Sequence, residues 1–379
     1  MSKSNETTPN VPTLRFKKHN TNWDRKKLSD HVKKITRKNS NNVIKNVICN
    51  SAQNGLIPQL DFFDKEIAND ENTADYYIIS NGDFVYNPRK SLSAPYGPVN
   101  IYKYDSDGIV SPLYLCFSVD DCINKSFLLQ RFKSPCWYRY IYLNGDSGAR
   151  HDRVSIKDEV FLSQPINLPN AEEQAAIAEF LEKIDERISV QNKIISKYET
   201  LIKGLCDKIF RHDKSVCLSD LVKCKTSILQ ENEIATYYNG EYNVFGASGI
   251  IASINKYQFE EDGILVLKDG SKAGKIQYAE GKYSVVGTSV VLIPNNADDA
   301  RYLYFAMLSI DFDKYKVGSG IPHIYFKDYS CERIYYPNSA LRIRIAKVFD
   351  AYEQKVEIEK EMLSALQKQK AFLLQSMFI

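Results

Sequence analysis

Leu168–Ile188 reads "LPNAEEQAAIAEFLEKIDERI", and Tyr336–Val356 reads "YPNSALRIRIAKVFDAYEQKV". The second stretch is a diverged copy of the first, 168 residues downstream. At that offset Leu168–Phe210 aligns with Tyr336–Phe378 without a gap. Both copies keep the opening Pro169/Pro337 and Asn170/Asn338, and both carry an apolar stripe at three-to-four spacing. In the first copy the stripe is Ile177, Leu181, Ile184, Ile188, Ile195, Tyr198, Ile202, Leu205 and Ile209. In the second it is Ile345, Phe349, Tyr352, Val356, Leu363, Leu366, Leu373 and Met377. Such spacing over about five heptads is a coiled-coil seam. It breaks at one matching place in each copy, Gln191 and Glu359. Each helix should be about 37 residues and about 55 Å long. Asn170 suits the N-cap, with Glu173 three residues on as a capping-box partner. The second copy keeps Asn338 but has Leu341 in place of the glutamate.

A lone helix of this kind exposes its stripe, so the two helices are expected to cover each other. The first leads into the segment near Val216, and the second begins where that segment ends. A pair joined in this way runs antiparallel. Net charges of −2 over Glu172–Phe210 and +2 over Ala340–Ile379 agree.

The repeat extends beyond the helices. "LSDHVKKIT" (Leu28–Thr36) matches "LSDLVKCKT" (Leu218–Thr226) at six of nine positions, and "SGARH" (Ser147–His151) matches "SGIPH" (Ser319–His323) at three of five. Within the second globular segment "YNVFG", "GIIASI", "GILVLK", "KIQYA" and "SVVLIP" read as strands between glycine turns, and "ARYLYFAMLSI" as a helix. In the first, "DYYIIS", "GDFVYN" and "PLYLCFS" read as strands. The expected fold is α+β. Two globular α/β-mixed domains are separated by two long helices forming an antiparallel coiled coil, as a pseudo-two-fold internal repeat. The boundaries are a disordered tail over 1–10, a first domain over 11–167, a first helix over 168–213, a second domain over 214–335 and a second helix over 336–379.

Bulk properties narrow the function. The 379 residues are 44% hydrophobic and 26% charged, as in ordinary globular chains. No apolar run is long enough to cross a membrane, and "MSKSNETTPN" lacks the apolar core of a signal peptide. A cytoplasmic protein with reduced thiols is expected. The eight cysteines form no C-x-x-C pair, so no metal site is expected. Net charge is only +3, but Val11–Lys38 holds ten Lys/Arg against two Asp. Such a run is either a solvated face or a phosphate-contacting element.

No catalytic constellation assembles. "VYNPRK" resembles the adenine-gripping loop of methyltransferases, but Arg89 replaces a required proline. "GSKAGKI" is one residue short of a P-loop and ends on Ile276 where magnesium needs Ser or Thr. Polar and basic residues on glycine-bearing turns are better suited to holding phosphates or reading base edges. The candidates are Arg89, Lys90, Arg150, His151, Arg153, Asn239, Lys268, Ser271, Lys272, Ser319 and His323. A stand-alone methyltransferase or nuclease, and a coiled-coil scaffold that binds no DNA, are the alternatives.

The helix opening "LPNAEEQAAIAEFLEKIDERI", its copy, and the elements "YNVFGASGIIASI", "ILVLKDGSKAGKI" and "GSGIPHIYFKD" resemble the specificity (S) subunit of type I restriction–modification enzymes. The resemblance covers about Val11 to Ile379 and is most specific at Leu168–Gln174; the second copy departs there, with Leu341-Arg342 for Glu-Gln. It implies two target recognition domains, each reading half of a bipartite, asymmetric site in double-stranded DNA. The helices would set the spacer and help dock methyltransferase (M) subunits, expected to number two. The coiled coil and partner docking would then involve Ile177, Leu181, Ile184, Ile188, Ile195, Leu205, Ile345, Phe349, Tyr352, Val356, Leu363 and Leu366. S-adenosylmethionine would sit in the M subunits, ATP and Mg in restriction (R) subunits, and no cofactor in this non-catalytic chain. The basic Arg15–Lys38 segment would lie near DNA or a partner.

Overall fold

The computed structural model describes residues 10–59, 73–146, 152–211, 216–234, 240–318 and 320–379. The expected disordered tail over 1–10 falls almost wholly outside them. The chain divides into two compact units, 1–190 with 363–379, and 191–362. Each is α+β, and they share one plan.

In the first unit four antiparallel strands form a sheet in the order Val32–Lys34, Leu115–Val119, Phe84–Tyr86, Val99–Ile101. In the second the order is Val222–Thr226, Ser289–Pro294, Gly263–Leu267, Ile276–Ala279. Numbered along the chain, each sheet runs first, fourth, second, third. Its two central strands are buried on both faces, which is why they read as unbroken apolar runs rather than alternating ones. Ile264, Val266, Val290 and Leu292 pack toward the helix Ala300–Met307, while Leu265, Val291 and Ile293 pack with Phe259, Tyr283 and Val285 on the opposite face. The first unit does the same. Phe84 and Phe117 meet the helix Lys125–Lys133 through Phe127 and Phe132, and Val85 and Cys116 meet Ile48, Ile79 and Tyr102.

A hairpin backs the second face in each unit, Ile48–Ser51 with Gly55–Pro58 and Tyr242–Gly246 with Gly249–Ile254. Asn100 Nδ2 ties the first hairpin to the sheet edge through Ser51 O (3.0 Å), and Gln277 Nε2 does so for the second through Gly246 O (2.8 Å). A short strand pair closes each unit. Asp24–Lys27 pairs with Pro165–Leu168, and Val216–Cys217 with Arg333–Ile334. In each case the later strand delivers the chain to a long helix.

Those helices are Ala171–Phe210 and Ser339–Ser376, of 40 and 38 residues. Within the first unit Ile177, Leu181 and Ile184 share a core with Leu373, Leu374 and Met377, and Lys370 pairs with Asp185. Within the second unit Phe210 stacks on Phe349 (5.7 Å), Tyr198 lies 6.5 Å from Tyr352, and Glu199 pairs with Lys360 (3.0 Å). Rising numbers on one helix meet falling numbers on the other, so each contact set is antiparallel. The two interruptions of the seam meet each other, Gln191 Nε2 donating to Glu359 O at 3.0 Å. Of the remaining seam residues, Ile195, Val356 and Leu366 are buried and Ile188, Leu205, Ile345 and Leu363 half-buried. No helix among the described residues is long and apolar enough to cross a membrane.

The helix starts differ from expectation at one point. Asn170 Oδ1 accepts from Glu173 N (2.9 Å) and Asn338 Oδ1 from Leu341 N (3.0 Å), so both N-caps form. Glu173, however, turns away from the capping box. Its buried carboxylate takes two hydrogen bonds from Arg15, at 2.6 and 2.7 Å. A charged fork on both oxygens outcompetes one backbone N–H. Lys18, Lys34, Arg37 and Lys38 likewise pair with carboxylates of the chain itself. Half of the basic Val11–Lys38 run is therefore engaged internally.

The next residue of each start fastens its helix to its domain. Gln174 Nε2 donates to Pro169 O (3.0 Å) and Cys122 O (3.3 Å), and its Oε1 accepts from Asn124 N (2.8 Å). Asn124 is the N-cap of the helix Lys125–Lys133. Arg342 holds the matching position. It donates to Pro337 O and grips Asp299, the N-cap residue of Ala300–Met307, at 2.6 and 3.1 Å. The departure of the second copy is thus an exchange of an amide latch for a buried ion pair.

Candidate nucleic-acid interface

The loops that carry the candidate residues leave the same strand of each sheet. In the first unit the chain leaves Phe84–Tyr86 and Pro88–Lys90 runs antiparallel to Asp152–Val154. Lys90 N donates to Asp152 O (2.8 Å), Val154 N donates to Pro88 O (2.9 Å), and Arg89 stands opposite Arg153. Asn87 shapes the exit. Its buried Oδ1 accepts from Arg89 N (3.0 Å), and its Nδ2 reaches Asn50 O (3.3 Å). This is an Asx turn, in which the side chain substitutes for a backbone acceptor. The returning limb passes so close that a Cβ on Gly97 would lie 2.1 Å from Asn87 O, and Gly97 has φ +84°. Only glycine fits both conditions.

Arg89, Lys90 and Arg153 line a cleft of about 480 Å³ together with Ser51, Ser91 and Tyr114. None of the residues lining it is Asp or Glu. Burial pushes the Tyr114 phenol up, so at neutral pH it remains an O–H donor. The cleft therefore offers cations and hydroxyls, a chemistry for anions. Arg89 has only a loose contact with Asp152, at 3.9 Å between exposed side chains.

In the second unit the chain leaves Gly263–Leu267 and Lys268–Gly270 runs beside Pro322–Ile324. Gly270 N donates to Pro322 O (3.0 Å), Ile324 N donates to Lys268 O (2.9 Å), and Asp269 stands opposite His323. The His323 ring and the Asp269 carboxylate are 2.7 Å apart. Gly270 (φ +92°) and Gly274 (φ +89°) bound a tight turn with Ser271 and Lys272 exposed at its tip. A Cβ on Gly274 would meet Phe312 at 2.6 Å. Paired backbone hydrogen bonds between Val317 and His323 close the neighbouring loop.

The structure gathers Arg89, Lys90 and Arg153 in one unit, and Lys268, Ser271, Lys272 and His323 in the other. Arg150, His151, Asn239 and Ser319 lie outside the described residues. Tyr114 and Ser51 carry no local signal that could have marked them, because each reaches its cleft from a strand end distant in sequence. Lys275 is exposed on the same turn as Lys272, and "KDGSKAGK" already places it there.

The model of the type I restriction modification DNA specificity domain matches this chain twice, at residues 20–200 and 213–368. The chain belongs to that family. The double match is the internal repeat, and the specificity subunits of the family are non-catalytic DNA-recognition subunits. A curated relative of this specificity family, the type I restriction enzyme MjaVIII specificity subunit of Methanocaldococcus jannaschii, is 26% identical over 163 residues. That match takes in 41% of this chain and 38% of the relative, so the chain spans about two fifths of the curated relative's length. Among solved structures, the S subunit of a type I system from M. genitalium superposes with a TM-score of 0.62 at 18% identity, covering 97% of this chain and 99% of that one. A chain from a structure concerned with complex assembly and conformational transition of the type I restriction–modification system gives 0.56 at 15% identity, covering 93% and 96%. These two likenesses concern the fold of the specificity subunit.

Proposed function

We propose that the chain is the DNA sequence-specificity subunit of a type I restriction–modification complex. Each recognition domain reads one half of a bipartite, asymmetric target in double-stranded DNA. The long helices set the spacer and dock two methyltransferase subunits, with restriction subunits joining the assembly in the cytoplasm. S-adenosylmethionine is held by the methyltransferase partners, ATP and Mg by the restriction partners. The observation that carries this reading is the same strand-exit loop, built twice and presenting basic and hydroxyl donors each time. A stiff loop on a sheet positions such donors for phosphates and base edges.

The test is methylome sequencing and DNA binding with the methyltransferase partner present. Alanine at Arg89 or Arg153 should relax or weaken one half-site by about 1–3 kcal/mol and leave the other half unchanged. Alanine at Lys272 should act on the opposite half, or weaken all sites evenly with a shallower salt dependence if it meets phosphate. Variants of both domains that leave affinity and both half-sites unchanged would overturn the assignment. Methyl transfer by the isolated chain would overturn the non-catalytic role.

A further inference from the structure

We propose that His31, Asp120 and Cys122 form a binding site for a borderline divalent transition-metal ion such as Zn²⁺. Asp120 and Cys122 lie two residues apart where the strand Leu115–Val119 turns toward the helix Lys125–Lys133, and His31 joins them from 89 residues away. Asp120 N donates to His31 O at 2.9 Å, which fixes the backbone of the turn against the start of Val32–Lys34. One potential ligand atom from each side chain lies within 4.8 Å of the other two. Among the described residues this is the only such group of three or more His, Cys, Asp and Glu.

The donors are partly set in place. His31 Nδ1 and Asp120 Oδ2 are 3.0 Å apart. The other ring nitrogen is buried, so Nδ1 is the one that faces the carboxylate. Asp120 Oδ1 accepts from Cys122 N (3.0 Å), which holds the carboxylate and leaves Oδ2 outward. Metal–ligand bonds of about 2.0–2.3 Å place tetrahedral ligand atoms roughly 3.3–3.8 Å apart. Cys122 is exposed, so a rotamer change can bring its thiol the remaining distance. A nitrogen, an oxygen and a thiolate together suit zinc and its neighbours and disfavour Ca²⁺ or Mg²⁺. Three protein ligands leave a fourth position for water.

The site has a structural consequence. The same turn supplies Cys122 O and Asn124 N to Gln174, so a bound ion braces the latch at the start of Ala171–Phe210. The second domain is an internal control. Asn295 N donates to Leu221 O at 2.8 Å in the equivalent backbone position, but Leu221, Asn295 and Ala297 stand where the three ligands would be. One ion per chain is expected, not two.

The experiment is titration of the chelator-treated, reduced full chain with Co²⁺, read by absorption, with zinc used in a separate alkylation assay. One equivalent should bind with a thiolate-to-cobalt band. Cys122→Ser should abolish the band. His31→Gln should weaken binding by at least about 10–100-fold, the cost of losing even an outer-sphere partner. In the unmutated chain zinc should protect Cys122 from alkylation and leave the exposed Cys331 reactive. No uptake at micromolar metal would overturn the proposal. So would uptake unchanged in both variants, or Cys122 alkylated at the same rate with and without zinc.

Discussion

Gln174 and Arg342 occupy one position in two copies and solve one problem with different chemistry. Each joins the first turn of a long helix to the N-cap of a domain helix and to the carbonyl of the preceding proline. Arg342 and Asp299 are both buried, and removing one partner of such a pair typically costs about 3–5 kcal/mol. Arg342→Gln should lower the stability of the second unit by that order. Adding Asp299→Asn should recover part of the loss, with a coupling of about 1–3 kcal/mol in a double-mutant cycle followed by chemical denaturation. Additive effects would show that the two do not form a latch. Gly97→Ala should cost at least about 1–2 kcal/mol, because φ is positive and the new methyl meets Asn87 O. If Arg89 contacts bases as proposed, it should also relax one half-site, which methylome sequencing would register. The sequence marked Leu341-Arg342 as a departure but gave no reason for it. Asp299 stands 43 residues away, and only the fold brings it to the guanidinium. Glu173 failed as a capping-box partner for a similar cause, since Arg15 lies 158 residues away.

Long helices and buried strands were the legible elements. All five strands read in the second domain are present. The plainest signals were "GILVL" and "SVVLIP", whose residues are buried throughout. The edge strands Val32–Lys34 and Val222–Thr226 carry no strand signal in the sequence. Their exposed residues are Lys, Cys and Thr, and charged edges discourage pairing between molecules while erasing the strand signal. Helix pairing was legible from the stripe, but its polar side contacts were not. Asp185 sits beside Lys133, Lys370 and Gln130. Burial alone would push its carboxyl up, yet the Lys133 charge and the hydrogen bonds from Lys370 and Gln130 hold it below its usual range. A carboxylate lowered in the folded state adds stability that is present above its unfolded pKa and is lost as pH falls through the lowered value. Denaturation followed from neutral to acid pH should therefore show a steeper acid loss for the native chain than for Asp185→Asn. Identical profiles would remove Asp185 from the account.

For the whole molecule, the sequence disclosed that there are two domains and two helices because the repeat is long. It disclosed the candidate loops only as separate glycine turns. Their convergence, Arg89 with Arg153 and Lys268 with His323, depends on backbone pairing between segments more than 50 residues apart. If the helices set the spacer of a bipartite target, inserting one heptad into each should lengthen it by about 10 Å, or roughly three base pairs, and leave both half-sites unaltered. Methylome sequencing of cells carrying the insertion reads this directly, and an unchanged spacer would remove the helices from that role. The divergence of the two latches has a further consequence for folding fidelity. A chain with two similar domains and two similar helix starts risks docking the wrong domain on the wrong start during synthesis. With Arg342 set against the neutral Asn124 side, or Asp299 against Gln174, such a mismatch would bury a charge without its partner. The amide pair and the ion pair thus act as distinct keys. Exchange of domains between such chains should succeed only when each domain travels with the helix opening that matches its latch.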